Sequence, residues 1–260
     1  MIDQTLASEL QVGIRPLVTG APCRTLIGTP RRVPFWGLSL VLLVTTGCAS
    51  TTLFQSNFDT TPVNQPPAHA QAVGTAATEG SVVVAALPDT PSVKGVRFDP
   101  INSPTGPTVL HCELVQHPTD GTYVFSTVLY IPSNSGGIVT ISFDRAPDIL
   151  SPTTKALGAQ QFMHLDFIGD SVRIDDDNST VFGKYPRDQV FIVQVTLNIN
   201  ATPSAHIVLS GAGASGEAHR NLSLGSPPIP LQFGAVRIRT ILTADIQTFY
   251  AANIVVTRKQ

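Results

Sequence analysis

Residues 191–199 read Phe-Ile-Val-Gln-Val-Thr-Leu-Asn-Ile, and this alternation constrains the chain more than any other feature. In an extended backbone Phe191, Val193, Val195, Leu197 and Ile199 share one face, while Gln194, Thr196 and Asn198 share the other. A helix would scatter the same five apolar residues around its circumference, so the stretch predicts a half-buried strand. The period of two returns at 81–87, 95–98, 108–115, 122–131, 137–143, 162–168, 171–174, 189–199, 205–210, 233–242 and 247–257. Turn-forming runs separate these segments: Pro118-Thr-Asp-Gly121, Pro132-Ser-Asn-Ser-Gly-Gly137, Asn200-Ala-Thr-Pro203 and Gly225-Ser-Pro-Pro-Ile-Pro230. Past residue 48 nothing sustains a 3.6-residue apolar period for three turns, and only 151–160 has room for a short helix. About eleven strands without crossover helices predict an all-β domain over 81–260, an antiparallel two-sheet β-sandwich.

The N-terminal part has a different grammar. Arg31-Arg32 precedes an uncharged apolar run of 12 residues, Val33 to Val44, followed by Thr45-Thr46-Gly47-Cys48. A charged flank, a short apolar run and small residues before a processing point make the three-part layout of a secretory signal. The run is too short to cross a bilayer, which takes roughly 20 residues. Its end resembles the lipobox of bacterial lipoproteins. That resemblance implies cleavage between Gly47 and Cys48, acylation of Cys48 and attachment of the chain to a membrane, with residues 1–47 lost as leader. Ala49, where such lipoproteins carry Asp for inner-membrane retention, implies sorting to the outer membrane if the cell is Gram-negative. The long leader, with no methionine between Met1 and Met163, suggests an alternative start codon.

Residues 48–80 are rich in Thr, Ala, Gln and Pro and lack an apolar period, so they are expected to form a flexible tether. Beyond Cys48 one cysteine remains, Cys112, on the same strand face as Leu110 and Leu114. A disulfide framework is thereby excluded, and Cys112 is expected to be a buried core residue. Removing the leader leaves 12 basic residues against 16 acidic ones, a net charge of −4. With no basic cluster after Cys48, the chain lacks the footprint that nucleic acid requires.

Residues 162–199 and the closing Phe249-Tyr-Ala-Ala-Asn-Ile-Val-Val-Thr-Arg258 resemble the laminin-G and concanavalin-A-like jelly rolls in strand pattern. The resemblance implies a jelly-roll fold and a recognition role, with calcium at loop edges. Asp170, Asp175, Asp177 and Asn178 gather oxygen ligands of the kind calcium takes, 6–8 at a site. A solvated acidic turn explains the same residues.

Two pairs, His111/Glu113 and His164/Asp166, place a histidine and a carboxylate two residues apart, hence on one strand face opposite the core. Such pairs suit metal binding or proton transfer, and equally a polar outer surface. Gln194, Asn198, Arg237 and Arg239 join the same outward set. Together they are expected to line a face that hydrogen-bonds a sugar, with Tyr123, Tyr130, Tyr185 and Tyr250 as candidates for ring stacking. Gly211-Ala-Gly213-Ala-Ser-Gly216 fits a dinucleotide fingerprint in spacing only. Pro227-Pro228 arrive before a helix could form, so a sandwich loop is expected.

Glycoside hydrolysis takes two flanking carboxylates, and only Glu79, Glu113 and Glu217 supply glutamates after residue 48. No nucleophile elbow, zincin helix or phosphate loop occurs. The sequence therefore predicts a cell-envelope lipoprotein that is not an enzyme and whose sandwich binds a ligand such as a glycan. A structural or assembly lipoprotein that contacts other envelope proteins is the alternative, and a glycan-active enzyme the minor one.

Overall fold

The computed structural model describes residues 50–56, 58–67, 71–73, 82–99, 108–145, 161–175, 180–222, 231–241 and 248–259. Cys48 and Gly47, the whole leader and the short helix expected at 151–160 lie outside these residues.

The described residues form strands joined by turns. In chain order the strands are β1 (Ser50–Ser56), β2 (Gln71–Val73), β3 (Val82–Ala86), β4 (Lys94–Phe98), β5 (Val109–Glu113), β6 (Thr122–Tyr130), β7 (Ile138–Arg145) and β8 (Gln161–Ile168). They continue as β9 (Ser171–Ile174), β10 (Val181–Lys184), β11 (Val190–Asn198), β12 (Ser204–Ser210), β13 (Ser215–Asn221), β14 (Phe233–Ile241) and β15 (Phe249–Lys259). Each of the eleven segments with a period of two is a strand. The pairings among them are antiparallel, in the order β2-β5-β14-β7-β8-β9-β10-β13-β12-β11-β6-β15-β4-β3, with β1 added to β15.

This path folds back on itself. Phe125 on β6 meets Phe143 on β7 edge-on at 5.3 Å, although the two strands are many steps apart along the path. Phe167 on β8 and Phe191 on β11 lie 5.9 Å apart, and Tyr123 on β6 meets Phe233 on β14 at the same distance. Ring contacts between strands so distant in the sheet require two layers packed face to face. One layer is β2-β5-β14-β7-β8-β9 and the other β12-β11-β6-β15-β4-β3, with the β10–β13 pairing between them. Alternation fills the space between the layers: Phe191, Val193, Val195, Leu197 and Ile199 are buried there, as are Leu110, Cys112 and Leu114. Burial drives the Cys112 thiol far above its ordinary pKa, so it stays protonated and inert.

Two glycines permit close approaches. A Cβ on Gly183 would lie 3.2 Å from the Gly216 Cα, and one on Gly216 would lie 2.6 Å from the Gly183 Cα, where β10 and β13 pair. At Gly95 a Cβ would lie 2.5 Å from the Ala251 carbonyl oxygen.

The tether expected at 48–80 is corrected at 50–56, at 64–65, which exchange backbone hydrogen bonds with Val84, and at 71–73, which pair with β5. β1 pairs with β15 from Ser50↔Lys259 to Ser56↔Ile254, and Leu53, Phe54 and Phe58 are buried in the core. The reason is an open edge. β4 covers one side of β15 only at Phe249–Ala251, and β1 takes up the backbone groups of its C-terminal half. The apolar residues that anchor β1 are Leu53 and Phe54, too few to make a visible period.

Candidate binding face

Strands β5, β14, β7, β8 and β9 bury one face in the core and carry a polar row on the other. The register builds this polar face row by row. Glu113, Ala235, Asp144 and Gln161 form the first row; His111, Arg237, Ser142 and His164 the second; Arg239, Thr140, Asp166 and Arg173 the third. Five of the expected site residues, His111, His164, Asp166, Arg237 and Arg239, thus lie together. Most of this face is not solvated: His111, Thr140, Ser142, Asp144, His164, Asp166 and Arg237 are buried, whereas Gln161, Arg173, Asp175 and Arg239 are half-buried at its rim.

At the centre Arg237 grips Asp144. Its Nη2 donates to Asp144 Oδ1 at 2.5 Å, and its Nε faces the other carboxylate oxygen. Burial pushes the Asp144 carboxyl up, and the charge and hydrogen bond of Arg237 and the charge of Arg239 offset only part of that rise. His111, beside Arg237, is pushed down to about 4 by burial and by that guanidinium, so it is neutral at pH 7.

A directed chain of hydrogen bonds runs from β14 along β8 to β7. Arg239 Nη2 can only donate, and it gives to Gln161 Oε1 at 3.4 Å. This orients the amide, whose Nε2 then donates to His164 Nδ1 at 2.7 Å. The imidazole proton is left on Nε2, facing Asp166 Oδ2 at 3.3 Å. Asp166 Oδ1 accepts from Thr140 Oγ1 at 2.6 Å. Burial alone would raise Asp166, but hydrogen bonds from His164 and Thr140 and the charge of Arg239 outweigh it and hold the carboxyl below its usual range.

Other expected residues lie elsewhere. Glu113 ends β5 as an exposed side chain 3.8 Å from His117 Nε2. Gln194 and Asn198 belong to β11 in the other layer, facing outward, and so cannot share a site with Arg237. Asn198 Oδ1 instead accepts from Asn200 N at 3.1 Å and Nδ2 at 2.8 Å, closing the turn before β12.

Of the tyrosines, Tyr123 and Tyr185 are core residues, and their hydroxyls donate to the carbonyls of Asp120 and Gly169. Tyr130 is buried against Tyr250, with ring centroids 5.7 Å apart. None of the four stands on the polar face.

In the expected calcium cluster, Asp175 Oδ1 accepts from His164 N at 3.0 Å and Oδ2 lies 3.3 Å from Arg220 Nε. Asp170 Oδ1 accepts from Ser171 Oγ at 2.9 Å. Asp177 and Asn178 lie outside the described residues.

Sequence reading missed Thr140, Ser142, Asp144 and Gln161. The signal was present in Thr140-Ile-Ser-Phe-Asp144, where polar and apolar residues alternate across β7.

No family model matches the chain, and no curated protein does. Solved structures do. The globular domain of Trypanosoma cruzi calreticulin superposes with a TM-score of 0.52 at 13% identity, over 79% of this chain and 87% of that one. A carbohydrate esterase of the Shiga toxin-encoding bacteriophage φ24B gives a TM-score of 0.51 at 11% identity, over 82% of this chain and all of that one. At such identities the likeness concerns fold alone. The chain is an antiparallel β-sandwich of the jelly-roll type.

Proposed function

We propose that the protein is a lipid-anchored component of the cell envelope, attached through Cys48, whose sandwich binds a glycan on the polar face of β5, β14, β7, β8 and β9. The observation that carries this reading is the directed polar chain Arg239–Gln161–His164–Asp166–Thr140 on the face opposite the core. A sugar hydroxyl both donates and accepts, and the rim of this face offers both functions: guanidinium donors at Arg239 and Arg173, an amide at Gln161 and a carboxylate at Asp175. Burying ionised groups is costly, so a face held in this way is expensive for a purely structural sheet. With the tyrosines elsewhere, recognition rests on hydrogen bonds rather than on ring stacking. The jelly-roll architecture is shared with a phage carbohydrate esterase, which agrees with a glycan ligand at the level of fold.

Binding is favoured over catalysis by how the carboxylates are engaged. Asp144 is committed to Arg237, and Asp166 to His164 and Thr140. Ser142 stands opposite His164 in register, but Gln161 occupies the imidazole nitrogen that a nucleophilic serine would need. Calcium at Asp170, Asp175, Asp177 and Asn178 would have to compete with Arg220 for Asp175, so its part in the proposal is an accessory one. Acylation at Cys48, which the lipobox resemblance implies, is tested by metabolic labelling with a radioactive fatty acid. Label that persists in a Cys48→Ser variant contradicts the anchor.

A glycan array probed with the full chain, once in calcium and once in chelator, tests the ligand. Binding in both conditions supports a metal-independent site on the polar face; binding in calcium alone brings in the acidic loop. A second reading is favoured by the outer surface of the other layer, where Val124, Val128, Ile192, Val208 and Val255 are half-buried aliphatics on neighbouring strands. A blank array together with capture of an envelope protein would favour that assembly role.

A further inference from the structure

Strands β12 and β13 form a hairpin whose turn is closed by Ala214 N donating to Gly211 O at 2.7 Å, with Gly211, Ala212 and Gly213 all at positive φ. This tight turn fixes the register, and the register puts His206 directly opposite His219. Glu217, two residues before His219 on the same strand, projects from the same face. All three point outward from the second layer, away from the core and from the polar face of the first.

The three side chains converge. The imidazoles of His206 and His219 stack with centroids 4.2 Å apart and planes 3° from parallel. Glu217 Oε1 lies between them, 2.7 Å from His206 Nε2 and 3.8 Å from His219 Nε2. One ligand atom from each residue falls within 4.8 Å of the others. Tetrahedral ligands about 2.0–2.1 Å from a zinc ion stand roughly 3.4 Å from one another. Small rotamer changes reach that spacing, and these side chains are free to make them, being 37% exposed at His206, 64% at Glu217 and 75% at His219.

We propose that His206, Glu217 and His219 form a surface site for a divalent first-row transition ion, zinc being the ion the donor set fits best. Two imidazole nitrogens and one carboxylate oxygen are the borderline donors that select zinc and its neighbours over calcium or magnesium. Three protein ligands leave a fourth position facing solvent, open to water or to a donor from a partner molecule. The ion pins β12 to β13 beyond Gly216, where β13 has lost its pairing to β10. It therefore stabilises the end of the hairpin that links the two layers. Because the site lies on the opposite layer from Arg237 and Arg239, it stands whether or not the glycan reading does.

The test is a calorimetric titration of the chelator-treated full chain with zinc, with the visible spectrum of the cobalt adduct as a second readout. One equivalent of zinc and tetrahedral cobalt bands are expected. His219→Ala and Glu217→Gln should each weaken binding by more than about tenfold, the loss that even an outer-shell change can cost. His117→Ala, which removes the histidine of the separate His117–Glu113 pair, should leave it unchanged. Both site variants replace exposed side chains, and an unaltered melting temperature in chelator confirms that they fold. No binding, binding unaffected by His219→Ala, or weak multi-site uptake that marks an adventitious ion only would each overturn the proposal.

Discussion

Arg237 on β14 donates to Asp144 on β7 across 2.5 Å, and both side chains are 1% exposed on the face opposite the apolar core. A pair desolvated to this degree depends on both partners. Arg237→Met should cost about 3–5 kcal/mol, because it leaves a carboxylate buried without its cation. Adding Asp144→Leu should recover much of that loss. Urea unfolding of the two variants checks this, and a single substitution costing less than about 1 kcal/mol would contradict the burial.

Acid should destabilise the fold in two stages. His111 has a folded pKa of about 4 against an ordinary 6.5, so the unfolded chain takes up the proton first as pH falls. Its contribution is present above pH 6.5 and is lost between 6.5 and 4, up to about 3 kcal/mol. Asp166, held below its usual range, contributes stability above the ordinary carboxylate pKa and loses it on further acidification. In His111→Gln the first stage should disappear, leaving urea midpoints nearly flat between about pH 7 and pH 5.

β1 and Phe58, which follows it, should behave as part of the folded domain. Phe58→Ala removes a ring that is 1% exposed and should cost about 3–5 kcal/mol. Hydrogen exchange offers an independent check, since the amides of 254–258 in β15 should be protected in the full chain. Those among them that donate toward β1 should exchange faster when Ser50–Ser56 is deleted, while those that donate toward β6 keep their protection.

Gly95 should not accept a methyl group. A Cβ there meets backbone at the Ala251 oxygen, which cannot swing aside as a flexible side chain could. Gly95→Ala should cost about 1–3 kcal/mol through overpacking between β4 and β15. Gly169→Ala is a useful contrast: it meets no atom within 4 Å but sits at φ +65, so its cost comes from backbone conformation instead.

The strands that bury an apolar face were legible because alternation alone identifies them. β13 was not: Ser215-Gly-Glu-Ala-His-Arg-Asn221 has no apolar period and is a strand because β12 pairs with it. β10 is four residues held through the Gly183–Gly216 approach, which one sequence does not reveal. At the candidate site, alternation correctly put His111, His164, Asp166, Arg237 and Arg239 opposite the core. It could not assign Gln194 and Asn198 to a different layer, because period two gives a side of a strand but not its sheet. Nor could it show that Tyr123 and Tyr185 are interior, since their depth depends on facing rings at Phe233 and Phe191. The His206–Glu217–His219 cluster became visible only with the hairpin register.

The most direct test of the central claim is a calorimetric titration of the strongest array ligand into the wild-type chain and three variants. Gln161→Ala and Arg239→Ala alter the rim of the polar face, and Gln194→Ala alters the other layer. Binding should be weakened by about tenfold, or roughly 1.4 kcal/mol, in each of the first two and unchanged in the third. Full affinity in both Gln161→Ala and Arg239→Ala, or loss confined to Gln194→Ala, would contradict a binding site on this face.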